Sequence, residues 1–243
     1  MIKFLTSNFK NYHTVAGSKV ANIIDNTNGI VDQVKKYLGS NKTILFIPSS
    51  SKDKEKIKLL SDILFKSLEL SGIIFENYLI LDDDNKNLAS KLVSQADLIF
   101  LSGGDTYIQN QFFKEIKLQE LLKNYTGLII GQSAGALNMA SDVFDSPISM
   151  ENSFPIHFKG LGLTDINIEP HFVLDTTNFD ENENYQRKVV LKESFKRKIY
   201  GQCDGSHILI TDQEILICGK TYLIENSVIK KIANDGEKVL LKR

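Results

Sequence analysis

Three short apolar runs constrain the fold of this chain more than any other feature. Residues 44–47 (Ile-Leu-Phe-Ile), 98–101 (Leu-Ile-Phe-Leu) and 128–130 (Leu-Ile-Ile) are apolar without alternation. A strand with one wet face alternates polar and apolar residues, whereas an unbroken run suits a strand covered on both faces, as in a parallel sheet between helical layers. Helical stretches separate the runs. In 54–70, Ile57, Leu59, Leu60, Ile63, Leu64 and Leu68 recur at three- and four-residue spacing, and Ser71-Gly72 supplies the stop. Residues 73–81 read as the next strand, 86–95 as a short helix, 106–124 as helical, and 134–141 is rich in small helix formers. Strand followed by helix thus repeats four times, which predicts an α/β fold: three layers around a doubly wound, mostly parallel sheet. After residue 198 the pattern changes to short runs at 208–210, 214–217, 222–224, 228–232 and 239–241 separated by turn residues. These predict antiparallel C-terminal strands that finish the same sheet.

No linker composition, repeat or low-complexity block divides the chain, so residues 1–243 are expected to form one domain. Lys and Arg number 29 against 30 Asp and Glu, a net charge of −1, which supplies no positive field for nucleic acid or an anionic membrane surface. The longest apolar runs hold about four residues, far short of the ~20 that span a bilayer, so no membrane partner is expected. The first ten residues lack the apolar core of a secretory signal, which predicts a cytoplasmic protein. Cys203 and Cys218 make neither a disulfide framework nor a zinc set and read as small buried hydrophobes. The consecutive carboxylates Asp82-Asp83-Asp84 read as a helix-capping loop rather than a metal site, because adjacent carboxylates rarely converge on one ion. Neither a metal nor a cofactor is expected. Monomer and homodimer are both compatible with the sequence.

Gly131-Gln132-Ser133-Ala134-Gly135 fits Gly-x-Ser-x-Gly and lies between a strongly apolar run and a small-residue helix, the context that makes the motif informative. A serine at such a tight strand-to-helix turn is held in a strained backbone with its hydroxyl above the sheet, and a Cβ at either glycine is expected to collide with a neighbouring element. The amide of Ala134 points to the same space and is a candidate oxyanion donor. Ser102-Gly103-Gly104-Asp105-Thr106 also follows an apolar strand and precedes a helix, so both loops belong at the carboxyl edge of the sheet, where open α/β folds bind ligands. Gly103 and Gly104 allow close backbone approach to a substrate and offer a second oxyanion donor. The glycine spacings of dinucleotide and phosphate loops do not occur.

A serine nucleophile needs a base, and the chain has four histidines. His13 and His207 read as surface or packing residues, and His157 as a loop residue near the pocket. His171, in Glu169-Pro170-His171-Phe172 after the alternating segment 163–168, is the better base. Its acidic partner is expected to be Asp204, which ends the strand-like segment 198–203, with Asp145, Glu151 and Asp175 as rivals. Arg187, on the helix expected after the His171 loop, is a candidate to grip a substrate carboxylate with two parallel hydrogen bonds; a solvated surface arginine is an equal alternative.

Gly131 to Ala136, Ser102 to Thr106 and Pro170-His171-Phe172 together resemble the peptidase E (aspartyl dipeptidase) branch of peptidase family S51, over residues 44–205. That family includes cyanophycinases, and its fold resembles that of the class I glutamine amidotransferases. The resemblance implies a nucleophile at Ser133, a base at His171, an acid at the Asp204 position, where dipeptidase relatives often carry Glu, and oxyanion donors at Gly104 and Ala134. Asp105 stands where the dipeptidases typically have Asn, and 183–187 matches only part of their arginine-containing helix start. The function expected is a serine peptidase for small peptides, with dipeptides that begin with Asp as the candidate substrates. A cyanophycinase-like peptidase and a non-catalytic small-molecule binding domain of the same fold are the alternatives.

Overall fold

The computed structural model describes residues 1–40, 43–149, 151, 154, 156–174 and 180–241. The chain opens with β1 (Ile2–Thr6), a hairpin of β2 (Tyr12–Val15) and β3 (Ser18–Ala21), and α1 (Ile30–Leu38). The alternating part follows: β4 (Thr43–Ile47), α2 (Lys54–Leu70), β5 (Asn77–Ile80), α3 (Ala89–Gln95), β6 (Leu98–Leu101), α4 (Thr106–Glu115), α5 (Leu118–Leu121), β7 (Leu128–Gln132) and α6 (Ala134–Leu137). Beyond it lie β8 (Asp142–Phe144), β9 (His157–Lys159), β10 (Asn167–Glu169), α7 (Glu181–Glu193) and β11 (Ile199–Gln202). The last five strands are β12 (His207–Ile210), β13 (Ile215–Cys218), β14 (Thr221–Glu225), β15 (Val228–Ala233) and β16 (Lys238–Leu241).

Eight strands form the main sheet in the order β16-β13-β12-β1-β7-β6-β4-β5. From β1 to β5 every neighbouring pair is parallel, whereas β12, β13 and β16 run antiparallel to their neighbours. The apolar runs are unbroken for a visible reason. Leu45, Ile47, Ile99, Leu101 and Ile129 pack into the core on one face, while Ile44, Phe46, Leu98, Phe100 and Ile130 pack into the core on the other. Both faces are dry, so every position in these strands favours an apolar side chain.

Three expectations are corrected, and one strand is unanticipated. The N-terminal segment, to which the sequence pattern assigned no element, forms β1 inside the main sheet, between β7 and β12. Of the C-terminal strands, only β12, β13 and β16 finish the main sheet; β14 and β15 join β10 and β11 in a separate sheet of order β10-β11-β14-β15. The strand expected over 73–81 is confined to Asn77–Ile80, and the helix expected over 134–141 is the single turn Ala134–Leu137. The second sheet matters most for the site, because its two parallel strands β10 and β11 end side by side, and Gln202 joins it to the main sheet by donating from Nε2 to the Leu5 carbonyl (3.2 Å).

The Asp82–Asp84 segment is a turn held by its own side chains. Asn85 Oδ1 accepts from the Asp82 amide, and Lys54 bridges Asp82 and Asp84 at 2.9 and 2.8 Å.

Candidate active site

Ser133 follows the last residue of β7 and adopts φ 49°, ψ −110°, outside the regions ordinarily open to an L-residue. The turn is over-determined by its neighbours. A Cβ on Gly131 would stand 2.6 Å from Ala136 Cα, and one on Gly135 would overlap the carbonyl oxygen of Leu101 in β6, so helix, turn and adjacent strand close on the two glycines. The Ser133 amide donates to the Thr6 carbonyl (2.8 Å), and the Thr6 hydroxyl donates to the Gly131 carbonyl (3.0 Å), which tie the elbow to β1. On the other side a buried network links the elbow to the glycine loop. Asn138 Nδ2 donates to the Thr106 carbonyl and to Gln109 Oε1, and Gln109 Nε2 donates to the Ser102 carbonyl. Because α6 is one turn long, the feature it offers an oxyanion is the first amide, that of Ala134, which has no acceptor within its own helix.

His171 and Asp204 arrive from the second sheet. β10 ends at Glu169 and β11 at Gln202, and the Phe172 amide donates to the Gln202 carbonyl (2.9 Å), so the residues that follow the two strands are held together. His171 Nε2 lies 3.1 Å from Ser133 Oγ, and His171 Nδ1 lies 2.7 Å from Asp204 Oδ1. In the tautomer that satisfies both contacts, Nδ1–H donates to the carboxylate and Nε2 accepts the serine proton. His171 is itself at φ 56°. Ser7, fully buried just beyond β1, holds this arrangement: its hydroxyl donates to Asp204 Oδ1 (2.8 Å) and accepts the His171 amide (2.7 Å). Burial pushes the Asp204 carboxyl up, but the hydrogen bonds from His171 and Ser7 outweigh it and hold the group below its ordinary value. Sequence reasoning missed Ser7, because its role depends on the unexpected strand before it.

The remaining candidates separate. Gly104 lines the cavities on both sides of Ser133, and Gly103 lines one of them. Asp105 does not line either; its carboxylate caps α4 by accepting the Ile108 amide (2.7 Å). Asp145 lines the larger cavity but does not meet His171 Nδ1, whose partner is Asp204, and Glu151 is an exposed turn residue. Asp175 lies outside the described residues. His157 is on β9, 3.1 Å from Glu193, rather than in a loop by the pocket; His207 is fully buried against Gln33 Oε1 (2.7 Å), and His13 is exposed on the hairpin. Arg187 is half-buried and lines the larger cavity with Glu183, Gln186 and Val190, one face of α7. Among the described residues no three His, Cys, Asp or Glu side chains group as a metal site, and no helix is long and apolar enough to cross a membrane.

The larger cavity, about 320 Å³, holds three residues that the sequence reading did not single out as site residues: Glu169, Ser146 and Gln186. Ser146 Oγ and Gln186 Nε2 both donate to Glu169 Oε1, at 2.6 and 3.0 Å. Burial, with repulsion from Asp145, raises the Glu169 carboxyl to about 7, and burial raises Asp145 to about 6. Glu169 precedes Pro170-His171, so its position beside the candidate base was legible; its burial was not.

An open α/β sheet with a strained serine at a strand–helix elbow and a histidine against its hydroxyl defines a class of hydrolytic enzymes. The family model described as peptidase family S51 matches residues 15–218, and the chain belongs to that family. It is therefore a peptidase. It is 25% identical over 185 residues to a probable alpha-aspartyl dipeptidase of Drosophila melanogaster, covering 73% of each chain. It is 26% identical over 196 residues to peptidase E of Nostoc sp., covering 77% of each. Among solved structures, a peptidase from an acI-B1 Actinobacterium aligns with TM-score 0.70 at 15% identity, over 99% of this chain and 96% of that one. A putative peptidase E from Listeria monocytogenes EGD-e aligns with TM-score 0.61 at 21% identity, over 96% and 98%. These two likenesses concern the fold.

Proposed function

We propose that residues 1–243 act as one unit, a serine peptidase that cleaves short peptides with Ser133 as nucleophile, His171 as base and Asp204 as the acid that orients it. The observation that carries this is the continuous contact from Asp204 through His171 to the strained Ser133 hydroxyl, at 2.7 and 3.1 Å. Ser133 Oγ attacks the scissile carbonyl as its proton passes to His171 Nε2, and the amides of Gly104 and Ala134 take the oxyanion. The imidazolium then protonates the leaving amine, and a water attacks the acyl-enzyme by the same route. For specificity we propose dipeptides that begin with Asp. Arg187 in the cavity wall supplies the guanidinium that a desolvated carboxylate needs, and the names of the Drosophila and Nostoc relatives agree with that chemistry.

The test is labelling by a fluorophosphonate, which reacts with an activated serine. The unmodified protein is expected to be labelled and Ser133→Ala not; Ser133→Ala should also lower turnover by on the order of a million-fold if the three residues act as a unit. An unlabelled wild-type serine would instead support a binding domain that keeps this fold.

A further inference from the structure

The two cavities that flank the elbow share Gly104, Ser133 and His171, so the reacting serine stands in the partition between them. Their walls differ in charge. The smaller, about 250 Å³, carries Lys19 and Lys56 and, among the described residues, no carboxylate. Among the described residues, the larger carries the carboxylates Glu169, Asp145 and Glu183 with Arg187 as its cationic side chain. Glu183 is engaged in the cap of α7, where Oε2 accepts the Asp180 amide (2.9 Å), which leaves Glu169 and Asp145 as the acidic wall.

Glu169 is the unusual member. It is 5% exposed, and while Oε1 accepts two hydrogen bonds, the buried Oε2 meets no hydrogen-bond partner among the described residues. A buried carboxylate oxygen left unpaired is unfavourable, and a second carboxylate in the same wall adds repulsion. Nothing in the proposed hydrolytic steps uses Glu169. A group that enters the cavity with a positive charge and N–H donors would satisfy Oε2 and relieve the repulsion at once.

We infer that this cavity is a subsite for a protonated amine carried by the acyl half of the peptide, with Glu169 as its receptor and Asp145 beside it. The inference rests on the peptidase reading above. The charge difference across the elbow sets the direction: the ammonium end of a short unblocked peptide lies on the Glu169 side of Ser133, and its carboxylate end lies towards Lys56. The amine is either the α-ammonium or a basic side chain of the first residue, and the two sources separate experimentally.

The experiment measures equilibrium binding by calorimetry to Ser133→Ala protein, with and without Glu169→Gln, using alanyl-alanine, N-acetyl-alanyl-alanine and N-acetyl-lysyl-alanine. Glu169→Gln is expected to weaken alanyl-alanine at least ~10-fold, the loss of one charge-assisted contact, and to leave N-acetyl-alanyl-alanine unchanged. A loss confined to N-acetyl-lysyl-alanine assigns the same receptor to a side-chain amine. Unchanged affinity for all three, or no binding of any, overturns the subsite. If Glu169→Gln does not fold, as judged by thermal unfolding, Asp145→Asn decides: a several-fold loss for the same amine-bearing peptide supports the subsite and no change overturns it. Fluorophosphonate labelling of the wild type is read separately. A labelled serine with a silent Glu169→Gln removes the subsite alone, and an unlabelled serine with a responsive one removes the hydrolase alone.

Discussion

Two non-glycine residues of the site, Ser133 and His171, sit at positive φ, a conformation that persists only where surrounding contacts impose it. For Ser133 the imposing contacts are steric; for His171 they include one hydroxyl. Ser7 fixes the His171 backbone and one oxygen of Asp204 at once, and under the proposed mechanism it would act by positioning them without touching a reacting atom. Ser7→Ala leaves the His171 amide without this acceptor and Asp204 with one donor fewer, a loss on the order of 1–3 kcal/mol at a buried site. The expected result is a fall in kcat of roughly tenfold with KM unchanged, against a fall of ~10⁴ for Asp204→Asn, where the wrong imidazole tautomer is favoured. Steady-state kinetics on both variants checks this. A change in KM as large as that in kcat for Ser7→Ala would deny Ser7 the positioning role, and a larger effect from Asp145→Asn than from Asp204→Asn would place the acid elsewhere.

Among the elements, α7 carries the specificity argument. Its capping box, formed by Asp180 and Glu183, starts the helix independently of the cavity, and Glu183, Gln186, Arg187 and Val190 at three- and four-residue spacing face the site. Arg187→Met keeps the helix and removes the guanidinium. Hydrolysis of dipeptides that begin with Asp should fall at least ~10-fold, about 1.4 kcal/mol, while dipeptides with neutral first residues are spared. Parallel loss over both sets in a dipeptide panel would deny Arg187 that role. The legible elements were those whose environment is written locally: β4, β6 and β7 are dry on both faces, and α2 shows its apolar stripe. β1 was not legible. Its run is interrupted by Lys3, which reaches the Leu163 carbonyl (2.8 Å), and it pairs with β7 and β12, more than a hundred residues away. For the same reason no local pattern could assign β14 and β15 to a second sheet. The places of Ser133, His171 and Asp204, each just beyond a strand end, were legible; those of Ser7 and Glu169 beside them follow only when β1, β10 and β11 are brought together.

At the scale of the whole molecule, buried ionisable groups tie stability to pH, and they work in opposite directions. His207 is fully buried, and burial lowers its imidazole from 6.5 to about 3. The unfolded chain therefore takes up a proton that the folded one refuses, and stability is lost as pH falls below 6.5. Glu169 does the reverse. Its carboxyl ionises at about 4.5 when exposed and at about 7 when folded, so between these values the folded chain holds a proton that the unfolded chain has released. Raising the pH through that window favours unfolding, and the loss remains in full above it. Glu169→Gln cannot ionise and escapes this loss. Its stability should match the wild type closely near pH 4.5 and exceed it increasingly up to pH 7, by about 3 kcal/mol if the whole shift is expressed. Urea unfolding of both proteins across this range measures the difference directly, with the His207 contribution common to both and so cancelling. Parallel stability curves would mean that Glu169 ionises in the folded protein as easily as in water. A variant more stable at neutral pH but poorer at binding amine-bearing peptides would instead show a carboxylate kept in the cavity wall at the expense of the fold.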